Sequence, residues 1–230
     1  MRYRAVFFDV GETLVHPSPS FPELFAQVVE REGHLVLPEA VTQASRSVME
    51  RFSQASRDGD RWTTSPERSR AFWDSVYELM LDELELPSRL RGTLYETFTD
   101  RANYALFDDV RPALESLASD GYVLGLVSNF EAWLDDLLAD LGVREVFAVR
   151  VISGIEGVEK PDPQIFRLAL ARAGVEASEA AYVGDNPEFD VHPPAALGMF
   201  PVLIDRRERH ADHVGARITD MADLRGALDG

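Results

Sequence analysis

Two kinds of hydrophobic pattern follow one another along this chain. Residues 5–8, Ala-Val-Phe-Phe, form an unbroken apolar run that closes on Asp9. A strand covered on both faces reads this way, so a first strand is expected over Arg4–Asp9. Gly11 and the Pro-Ser-Pro-Ser stretch at 17–20 then mark a turn or flap. From Phe21 the period changes, and apolar residues recur at helical spacing in four segments: Phe21–Glu32, Pro38–Arg57, Ser65–Leu86 and Pro87–Asn103. Ser65 followed by Pro66 is the pairing expected of an N-cap and first helical turn. No strand pattern interrupts these four segments.

Beyond Phe107 helix and strand alternate. Helices are expected over Arg111–Ser119, Glu131–Leu141 and Pro163–Gly174. Strands are expected over Tyr122–Val127, Val146–Ile152, Ala180–Val183 and Phe200–Ile204. Such alternation implies an α/β fold, a doubly wound parallel sheet with helices on both faces. The core then takes residues 1–16 and 106–230, and residues 17–105 form an inserted all-helical domain. Ligands of such sheets sit outside the carboxyl ends of the strands.

Those ends carry the chemistry. Strand one closes on Asp9-Val10-Gly11-Glu12-Thr13, and the second on Val127-Ser128-Asn129. Gly157-Val158-Glu159-Lys160-Pro161-Asp162 precedes a helix, and Tyr182-Val183 runs into Gly184-Asp185-Asn186 with Asp190 shortly after. Singly, each has a dull explanation as a cap or a turn residue. Four together at one end of one sheet point to a site. Three carboxylates without a thiol make a hard oxygen set suited to Mg²⁺. A carboxylate can also act as a covalent nucleophile. Ser128, Asn129 and Lys160 are candidates to hold phosphoryl oxygens and neutralise developing charge.

Composition narrows the field. The chain has no cysteine, which removes disulfides, thiolate metal sites and cysteine nucleophiles. No apolar run approaches the roughly 18 residues of a membrane span, and the N-terminus runs into a strand without a signal-peptide pattern. A cytoplasmic protein is expected. The net charge of −17 disfavours nucleic acid and anionic membranes as partners. A small anionic substrate then needs its own local positive group. Lys160 is the sole lysine among 23 basic residues, and it falls inside one of the four motifs. Arginine's planar fork does not replace a compact ammonium in a tight anion site.

In order and spacing these residues resemble the haloacid dehalogenase-like (HAD) hydrolase superfamily over nearly the whole chain. Asp9 and Thr13 match its first motif, Ser128 the second, Lys160 the third, and Asp185 with Asp190 the fourth. The resemblance implies a Rossmann-like core with a helical cap. It also implies Asp9 as nucleophile and Mg²⁺ held by Asp9, the Gly11 carbonyl, Asp185 and Asp190. Phosphatases of the family hydrolyse small phosphorylated substrates through an aspartyl-phosphate.

One position departs from the family pattern. Where those phosphatases carry a second Asp as general acid and base, this chain has Gly11, with Glu12 next to it. Positioned acid–base catalysis is worth about 10²–10⁴-fold in rate. Glu12 or His16 is a candidate substitute, or the substrate has a leaving group that departs unaided, or activity is reduced. Gly11 also suits a metal-independent 2-haloacid dehalogenase, a rival opposed by Asp185 and Asp190. A second rival is a weakly catalytic or non-catalytic domain that binds a phosphorylated ligand or a protein. Val191-His192-Pro193-Pro194 follows the last motif, so a late-starting helix is expected there. In the insert, Arg57, Arg61, Trp62, Arg68, Phe72 and Trp73 fall in one stretch, with Phe72 and Trp73 spaced as core. Substrate identity is not legible here, and monomer and homodimer are both compatible with the sequence.

Overall fold

The computed structural model describes residues 2–57 and 59–229, without the side chains of 49, 50, 52, 53, 56 and 57. In chain order, β1 (Ala5–Phe8) is followed by the short β2 (Val15–Pro17) and by four helices. These are α1 (Phe21–Arg31), α2 (Pro38–Arg57), α3 (Pro66–Glu83) and α4 (Arg91–Thr99). After β3 (Tyr104–Leu106) come α5 (Val110–Ser119), β4 (Val123–Ser128), α6 (Leu134–Asp140) and β5 (Val149–Ile152). Then follow α7 (Ser153–Glu156), α8 (Pro163–Ala173) and β6 (Ala180–Gly184). The chain ends with α9 (His192–Ala196), β7 (Phe200–Ile204), β8 (Ala216–Ile218) and α10 (Leu224–Asp229). It divides into two compact units, one running to Val15 and resuming at Leu106, the other spanning His16–Ala105.

The first unit is built on a six-stranded sheet in the order β5-β4-β1-β6-β7-β8. Each neighbouring pair is parallel. β1 is central, which explains its unbroken apolar run: Ala5, Val6, Phe7 and Phe8 are fully buried. Burying one such phenylalanine contributes about 1.5–3 kcal/mol. Gly125 of β4 makes room for it, since a Cβ there would lie 2.6 Å from the Phe7 ring. Phe8 is level with Leu126 of β4 and Val183 of β6. The next residues of all three strands therefore emerge at one height.

The helical unit is held by its own aromatic stack. Trp62 lies on Phe72 at 4.9 Å, Trp73 on Tyr77 at 5.9 Å, and Tyr77 on Phe98 at 5.9 Å. Phe72 is buried and Trp73 half-buried, as their spacing suggested. Ser65 caps α3 by accepting from Arg68 N–H at 3.3 Å, with Pro66 in the first turn. The side chain of Arg57 lies outside the described residues.

Several boundaries differ from the sequence reading, among them the helix expected from Glu131, which begins at Leu134. The expected strand Val146–Ile152 begins at Val149, because Arg144–Val146 winds into a 3₁₀ turn. The segment Pro87–Asn103 is an α-helix flanked by two 3₁₀ turns. The α-helix after Asp190 starts late, at His192, and what the sequence did not show is the π-helical turn over Pro187–Val191 that leads into it. Pro193 and Pro194 sit in the first turn of α9, where no helical partner for their missing N–H is required.

Candidate active site

Three strand ends and the loop between α7 and α8 supply the site, all within the first unit. Asp9 leaves β1 with its N–H donating to the Val183 carbonyl at 2.8 Å, which anchors it between β4 and β6. Ser128 closes β4, and its hydroxyl donates to Asp9 Oδ1 at 3.2 Å. Lys160 stands in the loop between α7 and α8, where Asp162 caps α8 by accepting from Gln164 N–H at 2.9 Å. Its Nζ donates to Asp9 Oδ1 at 2.6 Å and to Asp190 Oδ1 at 2.7 Å. Asp9, Lys160 and Asp190 are 7 %, 3 % and 1 % exposed, so these are charges in a largely dry setting. Unpaired, each would cost several kcal/mol; the shared ammonium is what permits their burial.

The last acid is placed by a turn. Asp190 N–H donates to the Asn186 carbonyl at 2.7 Å, and Asn186 N–H donates to Asp190 Oδ2 at 3.1 Å. The π turn wraps the carboxylate back against β6, where only a glycine fits: a Cβ on Gly184 would lie 2.4 Å from Asp190 Cγ. Asp185 is half-buried beside it. Asp9, Asp185 and Asp190 each bring a carboxylate oxygen within 4.8 Å of the others, the only such group among the described residues.

The electrostatics follow from that crowding. Burial, and then the Asp190, Asp9 and Glu12 charges, hold Asp185 well above the carboxylate range, with Lys160 opposing. Burial also pushes Asp190 up to about 6, against the pull of Lys160. Burial works to lower the Lys160 ammonium, yet Asp190 and Asp9 outweigh it and keep it well above its usual value. Three acids thus share one cation. The donors are hard carboxylate oxygens, the set that fits Mg²⁺ and gives no reason for a soft metal.

The other sequence candidates have more specific surroundings. The Asn129 side chain is committed to the lysine loop: Nδ2 donates to the Lys160 carbonyl at 2.8 Å, and Oδ1 accepts from Lys160 N–H at 2.6 Å. Gly11 is half-buried with an ordinary backbone, and a Cβ there meets nothing within 4 Å. Glu12 takes the left-handed conformation instead, with φ 57°, and its Oε2 accepts from Arg207 Nη2 at 2.6 Å. His16 belongs to the helical unit, where Nδ1 donates to the Pro17 carbonyl at 2.7 Å. Thr13 is buried with its Oγ1 unpartnered.

Sequence reasoning missed three residues that shape this region. Tyr182 of β6 is fully buried, with its hydroxyl 3.2 Å from Lys160 Nζ. Arg206 donates to the Thr13 carbonyl at 2.9 Å and to Asp109 at 2.8 Å while lying 3.9 Å over the Phe107 ring. Arg207 follows it. The signal was available, since Arg206-Arg207 lies just past the carboxyl end of β7. Tyr182 was hidden because a tyrosine in an apolar run reads as core, and only its polar tip requires a partner.

Known proteins agree with this architecture. A family model of haloacid dehalogenase-like hydrolases matches residues 3–198. The zebrafish (Danio rerio) haloacid dehalogenase-like hydrolase domain-containing protein 3 is 30% identical over 219 residues, spanning 92% of this chain and 88% of that protein. A phosphoserine phosphatase of Thermus thermophilus is 30% identical over 216 residues, spanning 94% of this chain and 80% of its own length. Among solved structures, YfnB of Bacillus subtilis, bound to magnesium, superposes with a TM-score of 0.80 at 16% identity over the full length of both chains. The L-2-haloacid dehalogenase RSc1362 reaches 0.74 at 21% identity, also over both full lengths, and so shares the fold. With its four motifs gathered at one end of one parallel sheet, and with a family match across most of its length, this chain belongs to the haloacid dehalogenase-like hydrolases.

Proposed function

We propose that the protein is a Mg²⁺-dependent phosphatase that hydrolyses a small phosphorylated metabolite through an aspartyl-phosphate at Asp9. The observation that carries this reading is the disposition of Asp9. Both donors to its carboxylate, Ser128 Oγ and Lys160 Nζ, go to Oδ1, which leaves Oδ2 without a hydrogen bond among the described residues. One oxygen is held and the other is available for attack. In the first step Oδ2 bonds to phosphorus as the P–O bond to the leaving group breaks. In the second, water adds to phosphorus, the P–O bond to Asp9 breaks, and inorganic phosphate leaves with the carboxylate restored. Ser128 can turn its single proton from Asp9 to a phosphoryl oxygen as charge builds there.

Asp9, Asp185, Asp190 and the Gly11 carbonyl would hold the Mg²⁺, which when bound neutralises the acids and the charge on the phosphoryl oxygens. The crowding of three carboxylates favours this reading over a metal-independent dehalogenase, which has no use for Asp185 and Asp190. Among relatives, the phosphoserine phosphatase already described and a glyceraldehyde 3-phosphate phosphatase of Methanopyrus kandleri, 29% identical, lend support.

No side chain at Gly11 can protonate the leaving group, and Glu12 is paired with Arg207. The reading therefore assigns substrates whose leaving group departs with little acid assistance, such as acyl or aryl phosphates. The test is turnover of alkyl, aryl and acyl phosphates with and without Mg²⁺, in wild type and Asp9→Asn. Mg²⁺-dependent turnover that Asp9→Asn loses by about 10³-fold or more is expected. Halide release from 2-haloacids in EDTA would transfer the protein to the dehalogenases. Turnover surviving in Asp9→Asn would remove the nucleophile.

A further inference from the structure

An ammonium carries three N–H bonds and nothing that accepts. Around Lys160 the structure supplies three oxygens: Asp9 Oδ1 at 2.6 Å, Asp190 Oδ1 at 2.7 Å and Tyr182 Oη at 3.2 Å. The Tyr182 hydroxyl has a single proton and two acceptors in reach, the Val127 carbonyl at 2.7 Å and Asp190 Oδ1 at 3.3 Å; the shorter contact, to Val127, takes it. Val127 is level with Asp9, just past the end of β1, so its carbonyl is open to a side chain reaching across from β6. With its proton given to Val127, the Tyr182 oxygen presents only lone pairs to Lys160. The ring is fixed as well, because Phe166 of α8 packs edge-on against it at 5.2 Å and 72°, both side chains fully buried.

We propose that Tyr182 is a positioning residue for the reaction at Asp9, one that occupies the third N–H of Lys160 and so keeps the ammonium on Asp9 Oδ1 and Asp190 Oδ1. The proposal rests on the reading of Asp9 as nucleophile and deepens it. Asp9 presents Oδ2 because Lys160 cannot turn away, and Lys160 cannot turn away because no N–H is left unpaired. Lys160 then acts through the two carboxylates and by its charge, and the phosphoryl oxygens take their hydrogen bonds from elsewhere. Remove the Tyr182 oxygen and one buried N–H loses its partner, which favours a different tilt of the ammonium.

The chain offers an unusual probe, since Lys160 is its only lysine. Protein labelled with ¹⁵N-lysine and freed of any lysine-bearing tag gives one side-chain ammonium resonance, which needs no assignment. Tyr182→Phe keeps the ring against Phe166 and deletes only the oxygen. We expect the Lys160 Nζ resonance to shift and its protons to exchange faster in Tyr182→Phe. With p-nitrophenyl phosphate, kcat is expected to fall about tenfold while KM stays within about twofold. A tyrosine that merely fills space would lower the melting temperature and leave both the resonance and kcat per folded molecule where they were. An unmoved resonance, or a moved one with unchanged kcat, overturns the proposal. If the wild type turns over no phosphomonoester, the reading of Asp9 fails instead, and the resonance tells the two failures apart.

Discussion

Glu12 Oε2 lies 2.6 Å from Arg207 Nη2, an ion pair at the rim of the site formed by the residue that stands beside the missing acid. Both partners are part-exposed, so the pair contributes little to stability, about 0–1 kcal/mol. Its effect is on placement, because the Glu12 carboxylate is held against the Arg207 guanidinium. Glu12→Gln is accordingly expected to change kcat by less than about threefold on p-nitrophenyl phosphate, against the 10²–10⁴-fold typical of a lost general acid. A loss of about a hundredfold would make Glu12 the acid after all.

Gly11 invites the opposite experiment. Its backbone is not left-handed and a Cβ there meets nothing within 4 Å, so an aspartate fits without strain. Gly11→Asp would install the acid and base at the position where phosphatases of the family carry it. Turnover of alkyl phosphates should rise by about tenfold or more, and that of p-nitrophenyl phosphate far less, since its leaving group needs little protonation. Equal gains on both substrates would show that protonation is not what limits the wild type.

Lys160→Arg tests why one lysine stands among so many arginines. A guanidinium directs its donors within one plane, whereas the three oxygens around Nζ belong to β1, β6 and the turn after β6 and surround a single point. We expect kcat to drop by about a hundredfold or more with the far-ultraviolet circular dichroism unchanged. Retention of more than about half the activity would show that charge alone suffices.

Gly184→Ala should strike the Asp190 placement. The added methyl would sit 2.4 Å from Asp190 Cγ and 2.5 Å from its Cβ, on a strand buried throughout. The strand cannot retreat, so Asp190 must. A destabilisation of about 1–3 kcal/mol is expected from overpacking. Mg²⁺ affinity by titration calorimetry should weaken together with the melting temperature. Wild-type affinity in this variant would detach Asp190 from metal binding.

In the metal-free protein the Asp190 proton contributes stability that is lost as pH rises from about 4 to about 6, most clearly seen against an Asp190→Asn variant. Asp190, buried among other acids, is raised from 3.8 to about 6 in the folded state. The fold therefore holds this proton more tightly than the unfolded chain does. That contribution is complete below about pH 4 and is lost as the pH passes about 6. Asp185 is raised too and adds in the same direction. Melting curves in EDTA should show the decline, and Mg²⁺ should restore more stability at pH 7 than at pH 5. A melting-temperature difference between wild type and Asp190→Asn that stays constant from pH 4 to 7 in EDTA would contradict it.

Much of the molecule is written in local pattern. A run such as Ala5–Phe8 closing on a polar residue reads as a doubly covered strand, and alternation after Phe107 implies parallel crossovers, so the sheet was legible. The motif residues Asp9, Ser128, Lys160, Asp185 and Asp190 were legible as well, because polar groups at strand ends stand out against apolar runs. Even the special standing of Lys160 could be read from its being alone.

What the chain alone did not reveal are the relations between residues far apart in sequence. Glu12 and Arg207 are 195 positions apart, and Asp9 and Lys160 are 151 apart. Whether Glu12 is available, which oxygen of Asp9 is held, and where the third N–H of Lys160 goes depend on distances that exist only once the strands are in register. Tyr182 belongs with these. In sequence it is one more apolar strand residue; its hydroxyl acquires a partner only because β4, β1 and β6 end at the same height. Local spacing selects elements and the chemistry they carry, whereas a hydrogen bond is decided within a few tenths of an ångström, a precision that only packing supplies.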